Sequence, residues 1–185
     1  GALMSATMTG IYCVSAALAE EKEKHTLRVL MTSSVNGLEF FLGSLIPVVG
    51  MILLTNIVIV PVSGLSMDAA QWAVYLGVSF LCAVTCAVIG MIFGIFSRNQ
   101  VTASTITTPA LLIFMMLPIF ANLNETLAKI SDFLFTGVMQ QTVIHIANGD
   151  AQMVPGTSIA VMAAEIAAAV ICFLVIYRKN GYDAD

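Results

Sequence analysis

The run Trp72-Ala73-Val74-Tyr75-Leu76-Gly77-Val78-Ser79-Phe80-Leu81-Cys82-Ala83-Val84-Thr85-Cys86-Ala87-Val88-Ile89-Gly90-Met91-Ile92-Phe93-Gly94-Ile95-Phe96 holds no charged side chain in 25 positions. A helix needs about 20 mostly apolar residues to cross the hydrocarbon core of a bilayer, and this run exceeds that. Working outward, four further stretches reach the same length: residues 1–19, 40–64, 103–121 and 157–177. The expected fold is therefore all-α, a polytopic membrane helix bundle forming one transmembrane domain over residues 1–185, with five visible spans.

Composition supports this reading. The 185 residues are 59% hydrophobic before the 13 glycines are counted, whereas a soluble domain has about 45–50% with glycine included. Charged residues make up 10%, against about 25% in soluble domains. A soluble globule of this size could not cover so much apolar surface. The net charge of −4, from 7 Lys and Arg against 11 Asp and Glu, offers no basic field for nucleic acid. Cys13, Cys82, Cys86 and Cys172 all lie in apolar runs, where they serve as small packing residues and not as a disulfide framework. The chain opens at Gly1-Ala2-Leu3 inside an apolar stretch, without an initiator methionine or flanking charge, and reads as a piece of a longer protein.

Lys and Arg favour the cytoplasmic side of a membrane. Lys22, Lys24 and Arg28 lie in the first connection, Arg98 in the third and Arg178 and Lys179 in the tail, while the opposite connections hold only Lys129. Residues 20–37, 97–102 and 178–185 are thus expected in the cytoplasm, with Gly1 outside. An exported start needs an earlier span to carry it there, which makes a six-span protein the expected whole.

The segment from Glu20 to Ser34 reads as a helix leaving the first span for the cytoplasm. Glu20 and Lys24 form a favourable i,i+4 pair. At helical spacing Glu21, His25 and Arg28 make a polar stripe, and Leu27, Leu30 and Met31 a short apolar ridge. Such a ridge lies on the bilayer surface or fills a groove in a partner.

Glu20-Glu21-Lys22-Glu23, Thr26-Leu27, Leu30-Met31, Ser33-Ser34 and Leu38-Glu39-Phe40-Phe41-Leu42-Gly43 resemble the permeases of ATP-binding-cassette exporters of the type-2 family. Members carry a run of the form E-x-E-x-x-T-L-x-x-L-x-x-S-P after the second span; Ser34 stands here where proline is frequent. The resemblance implies a six-span permease that exports substrate using a separate cassette ATPase subunit. It further implies that residues 20–34 are the coupling helix seated on that ATPase. Glu20, Glu21, Glu23 and Arg28 would be its polar contacts, with Thr26, Leu27, Leu30 and Met31 its docking ridge. ATP and Mg would belong to the partner, leaving this chain with no cofactor and no enzymatic activity. A second permease copy or homologue, the bilayer of a bacterial plasma membrane and a small external gate within residues 122–156 are also implied.

Other residues stand outside that motif. Glu165 lies about eight residues into the last span, roughly 12 Å deep. A carboxyl there is costly, and serves either as a substrate or proton contact or as a structural group near the outer leaflet. Cys82, Cys86, Gly90 and Gly94 recur at four-residue steps and form a small-residue stripe for helix packing, within the subunit or toward a second copy. The two cysteines make no metal site, because that span has no His or carboxylate. Thr105 and Thr108, in a hydroxyl-rich fourth span, and Asn56 in the second are candidate walls of a transport path; the alternative for the threonines is bonding back to their own helix. No G-x-x-x-x-G-K-[ST] loop and no intramembrane Ser/His or paired-carboxylate constellation occurs. The alternative function is an ion-gradient-driven secondary carrier with Glu165 as the titrating group.

Overall fold

The computed structural model describes residues 1–24, 37–150 and 154–180. Helix α1 runs Ala2–Glu23 and contains a π-helical turn, Met8–Cys13. It is followed by α2 (Gly37–Val62), α3 (Ala69–Phe96), α4 (Gln100–Phe120), α5 (Glu125–Asp132), α6 (Phe135–Asn148) and α7 (Gly156–Asn180). There is no strand among the described residues. Five of the helices, α1 to α4 and α7, are long and apolar enough to cross a membrane. The chain is a polytopic helix bundle.

Local chemistry sets where these helices begin. The Asp68 carboxylate accepts the Gln71 N–H at 2.8 Å while the Gln71 side chain accepts the Asp68 N–H at 3.0 Å, a reciprocal cap that starts α3 ahead of Trp72. Asn99 caps α4 without that reciprocity, accepting from the Thr102 N–H at 2.8 Å and from its hydroxyl at 2.7 Å. Asn124, inside an Asn-Glu-Thr glycosylation pattern, caps α5 through the Thr126 N–H at 2.8 Å. Pro47, Pro61, Pro109 and Pro118 lie within helices, where each removes a backbone donor.

Helix α3 is the axis of the molecule. Its buried side chains include Tyr75, Val78, Cys82, Ala83, Cys86, Val88, Met91 and Ile95, and α1, α2, α6 and α7 all pack on it. The remaining long helices show one face to α3 and turn broad apolar faces outward, such as Ile46, Met51, Leu54 and Val58 on α2. That pattern suits lipid, which is no less apolar than leucine.

The helix ends fall into two sets. Glu23, Gly37, Phe96 and Gln100 mark one end of the bundle, called basal below; Ala2, Val62, Ala69, Phe120 and Gly156 mark the distal end. Helices α5 and α6 form a hairpin between α4 and α7 at the distal end, tied by a hydrogen bond from the Gln141 amide to the Asp132 carboxylate. Gly149 takes the left-handed conformation (φ +73°) that closes α6, with His145 Nδ1 2.7 Å from the Asp150 carboxylate beside it.

Candidate functional site

At the basal end, the acidic and basic residues that close α1 reach across to its neighbours. Lys22 Nζ donates to the Ile95 carbonyl at 2.6 Å, on the last turn of α3, where a cation meets both an unpaired carbonyl and the negative end of the helix dipole. Glu23 Oε2 accepts the Gln100 N–H at 3.3 Å, on the first turn of α4, where the polarity is reversed. Together the two side chains clasp the Ser97-Arg98-Asn99 turn. Glu20 pairs with Lys24 one turn apart, as their spacing leads one to expect, and this hydrogen bond holds the Lys24 ammonium above its ordinary range. The pair is solvent-exposed and adds little stability. Helix α1 ends at Glu23 with Lys24 as its cap. Thr26, Leu27, Arg28, Leu30 and Met31 lie outside the described residues, as do residues 151–153 and 181–185.

Below this latch α1 meets α3 along the small-residue stripe. Gly10, in the π-helical turn, abuts Cys86, and a side chain at Gly90 would start 2.5 Å from the Gly10 carbonyl oxygen and 2.8 Å from that of Ile11. One at Gly94 would start 2.8 Å from Leu18 Cβ. Cys82 and Cys86 are fully buried in the same region. The stripe therefore brings the backbones of α1 and α3 together within the subunit.

The candidate path residues have different neighbours. Asn56 is fully buried and accepts from the Ser5 hydroxyl at 3.1 Å, facing α1; its Nδ2 has no partner among the described residues. Thr105 and Thr108 are exposed on α4, and each donates to its own helix, to the carbonyls of Val101 at 2.9 Å and Ser104 at 2.6 Å. Glu165 is partly buried on α7, and its Oε2 has no partner among the described residues. A crevice of about 70 Å³ runs between Pro118, Ala121, Ser131, Gln140 and Ile144. The Gln140 amide donates across this crevice to the Pro118 carbonyl at 3.3 Å. The structure thus does not gather Asn56, the two threonines and Glu165 along one wall.

Sequence reading missed two features of these sites. Nothing in the charge pattern marks Lys22 and Glu23 as intrachain caps, because their partners are backbone groups more than 70 residues away. The π-helical turn has no periodic signature in the surrounding apolar residues.

The latch is open to test. Lys22→Met keeps the apolar stem and removes the donor, so thermal unfolding in detergent should show a loss of about 1 kcal/mol. Glu23→Gln, at an exposed site, should change stability by less than about 0.5 kcal/mol.

The chain is thus a five-span apolar bundle with charged residues clasping one end and a short helical hairpin at the other. Residues 1–176 match the family described as ABC-2 family transporter protein, and the chain belongs to that family. No curated protein and no solved structure matches it. It is a multi-pass membrane protein and the permease component of an ATP-binding-cassette transporter. Membership implies an ATPase partner, and it does not favour a carrier driven by an ion gradient.

Proposed function

We propose that this permease exports substrate from the cell, driven by a separate cassette ATPase seated on residues 20–34. In this reading the basal end is cytoplasmic, at residues 20–37, 97–102 and 178–185, and the membrane is a bacterial plasma membrane. ATP and Mg act on the partner, and two permease chains, identical or homologous, work with two ATPases. Residues 122–156 stand at the exit.

The observation that carries the proposal is the latch. The ATPase-binding element continues directly from the end of α1, where Lys22 holds α3 and Glu23 holds α4. Displacing that element moves three long helices at their common end, which turns a nucleotide-driven movement of the partner into a change of packing in the membrane.

The test is purification from native membranes in mild detergent, followed by ATP hydrolysis and chain-composition measurements. An ATP-hydrolysing subunit should co-purify at two copies per two permeases. In intact cells, a Lys24→Cys variant lacking the exposed Cys13 and Cys172 should react with a membrane-impermeant maleimide only after permeabilisation. Labelling from outside, or a permease that purifies from those membranes with no ATPase, would overturn the proposal.

A further inference from the structure

Helix α1 is held by different neighbours on the two sides of its π-helical turn. On the distal side, in Ala2–Thr7, the Ser5 hydroxyl donates to the Asn56 side-chain oxygen of α2 at 3.1 Å. On the basal side, in Val14–Glu23, Leu18 lies against Gly94 of α3, Lys22 holds the Ile95 carbonyl and Glu23 holds the Gln100 N–H of α4. The turn, Met8–Cys13, joins these two parts. Its Tyr12 hydroxyl accepts from the Ser104 hydroxyl of α4 at 3.2 Å.

A π-helical turn holds one residue more than regular winding, and it is one of the few places where a long helix bends sharply. Where this turn meets α3, the Gly10 and Ile11 carbonyl oxygens lie over Gly90, which has no side chain to obstruct a small shift. Two fully buried hydroxyls flank it. Thr7 donates to the carbonyls of Leu3 at 2.9 Å and Met4 at 3.2 Å, and Ser15 donates to that of Tyr12 at 2.9 Å. The turn interrupts the regular backbone ladder. Hydroxyls that bond back to nearby carbonyls keep these satisfied away from water. One shared between two carbonyls, as in Thr7, follows either of them when the winding changes.

We propose that the Met8–Cys13 turn is a joint in the transport cycle. When the ATPase-bound end of α1 is displaced, the basal part of the helix moves with α3 and α4 while Ala2–Thr7 stays on α2. The surplus residue of the turn takes up the difference. The inference rests on the reading of the basal end as the ATPase-docking end.

Hydrogen exchange of the purified permease–ATPase complex, read by mass spectrometry with and without Mg-ATP and orthovanadate, tests it. The amides of residues 10–15 should change their exchange rate roughly fivefold, the weight of about one hydrogen bond, while those of residues 82–94 keep theirs. Deletion of Met8, which is 51% exposed, removes the surplus residue, so that α1 winds regularly and both ends still meet their partners. The variant should fold, bind the ATPase and lose the nucleotide-dependent change. If it does not yield folded protein, deletion of the exposed Cys13 takes its place. Failure of both to fold would overturn the proposal, since the turn would then hold no surplus residue. So would a deletion variant that keeps the parent's response. A parent complex that hydrolyses ATP without any change at 10–15 overturns the joint alone. A parent that purifies with no ATPase overturns both the joint and the docking reading.

Discussion

Gly90→Leu should leave almost no folded protein. A Cβ at this position would lie 2.5 Å from the Gly10 oxygen, 2.8 Å from the Ile11 oxygen and 3.0 Å from Val14 Cβ. Two of those three atoms are backbone, so no rotamer change relieves the collision. Helix α1 must move away from α3, which breaks the contacts of Cys86, Gly94 and Leu18 along the same seam. Overpacking a close interior costs about 1–3 kcal/mol where side chains can adjust and more where they cannot. Such a loss is a large part of the total stability of an ordinary domain. Gly77 is the matching control: it is exposed on the same helix, with open space where a side chain would go. Gly77→Leu should therefore purify as the parent does. Size-exclusion chromatography and thermal unfolding in detergent compare the two. A Gly90→Leu protein melting within a few degrees of the parent would mean that the α1–α3 seam is not as close as described.

The second large effect is expected outside the membrane. Leu27→Asp combined with Leu30→Asp should abolish co-purification of an ATPase while leaving the permease folded. Under the proposed function the two leucines enter an apolar groove of the partner, and burying an unpaired carboxylate there costs several kcal/mol per ion. A small interface cannot absorb two such costs, since every 1.4 kcal/mol is a tenfold loss of affinity. If Leu27, Leu30 and Met31 instead lie on the bilayer surface, the aspartates loosen that contact and ATPase recovery is unchanged. Affinity purification followed by an ATP hydrolysis assay separates these outcomes. Undiminished recovery would remove residues 20–34 from the docking surface.

The long helices were legible because their signal is a sum over many positions. A run of 25 residues without a charge, or a Gly-x-x-x-Gly at 90 and 94, survives any uncertainty about a single side chain. The boundaries were less so, since Asp68 and Asn99 each add a few residues by capping, an effect that depends on one side chain meeting one backbone group. The segment from 122 to 156 could be read as short helices but not placed. Its depth depends on Phe135 meeting Phe114 and on Met139 meeting Ser79, contacts to other helices. The polar residues in the long helices show the same division. That Asn56 and Glu165 must find partners follows from the cost of burying them. Which partner Asn56 finds, the Ser5 hydroxyl, depends on the packing of the whole bundle.

The Met8–Cys13 turn carries a geometric consequence. An α-helix advances about 100° per residue, and a π-helical turn accommodates one residue more than the regular winding does. Had Ala2–Glu23 been wound regularly throughout, the end bearing Lys22 and Glu23 would be rotated by about 100° relative to the end where Ser5 meets Asn56. One rod could not then present Ser5 to α2 while directing its last two charges at Ile95 and Gln100. The extra residue works as a phase shifter, setting the azimuth of Lys22 and Glu23 independently of how the rod is seated at its other end.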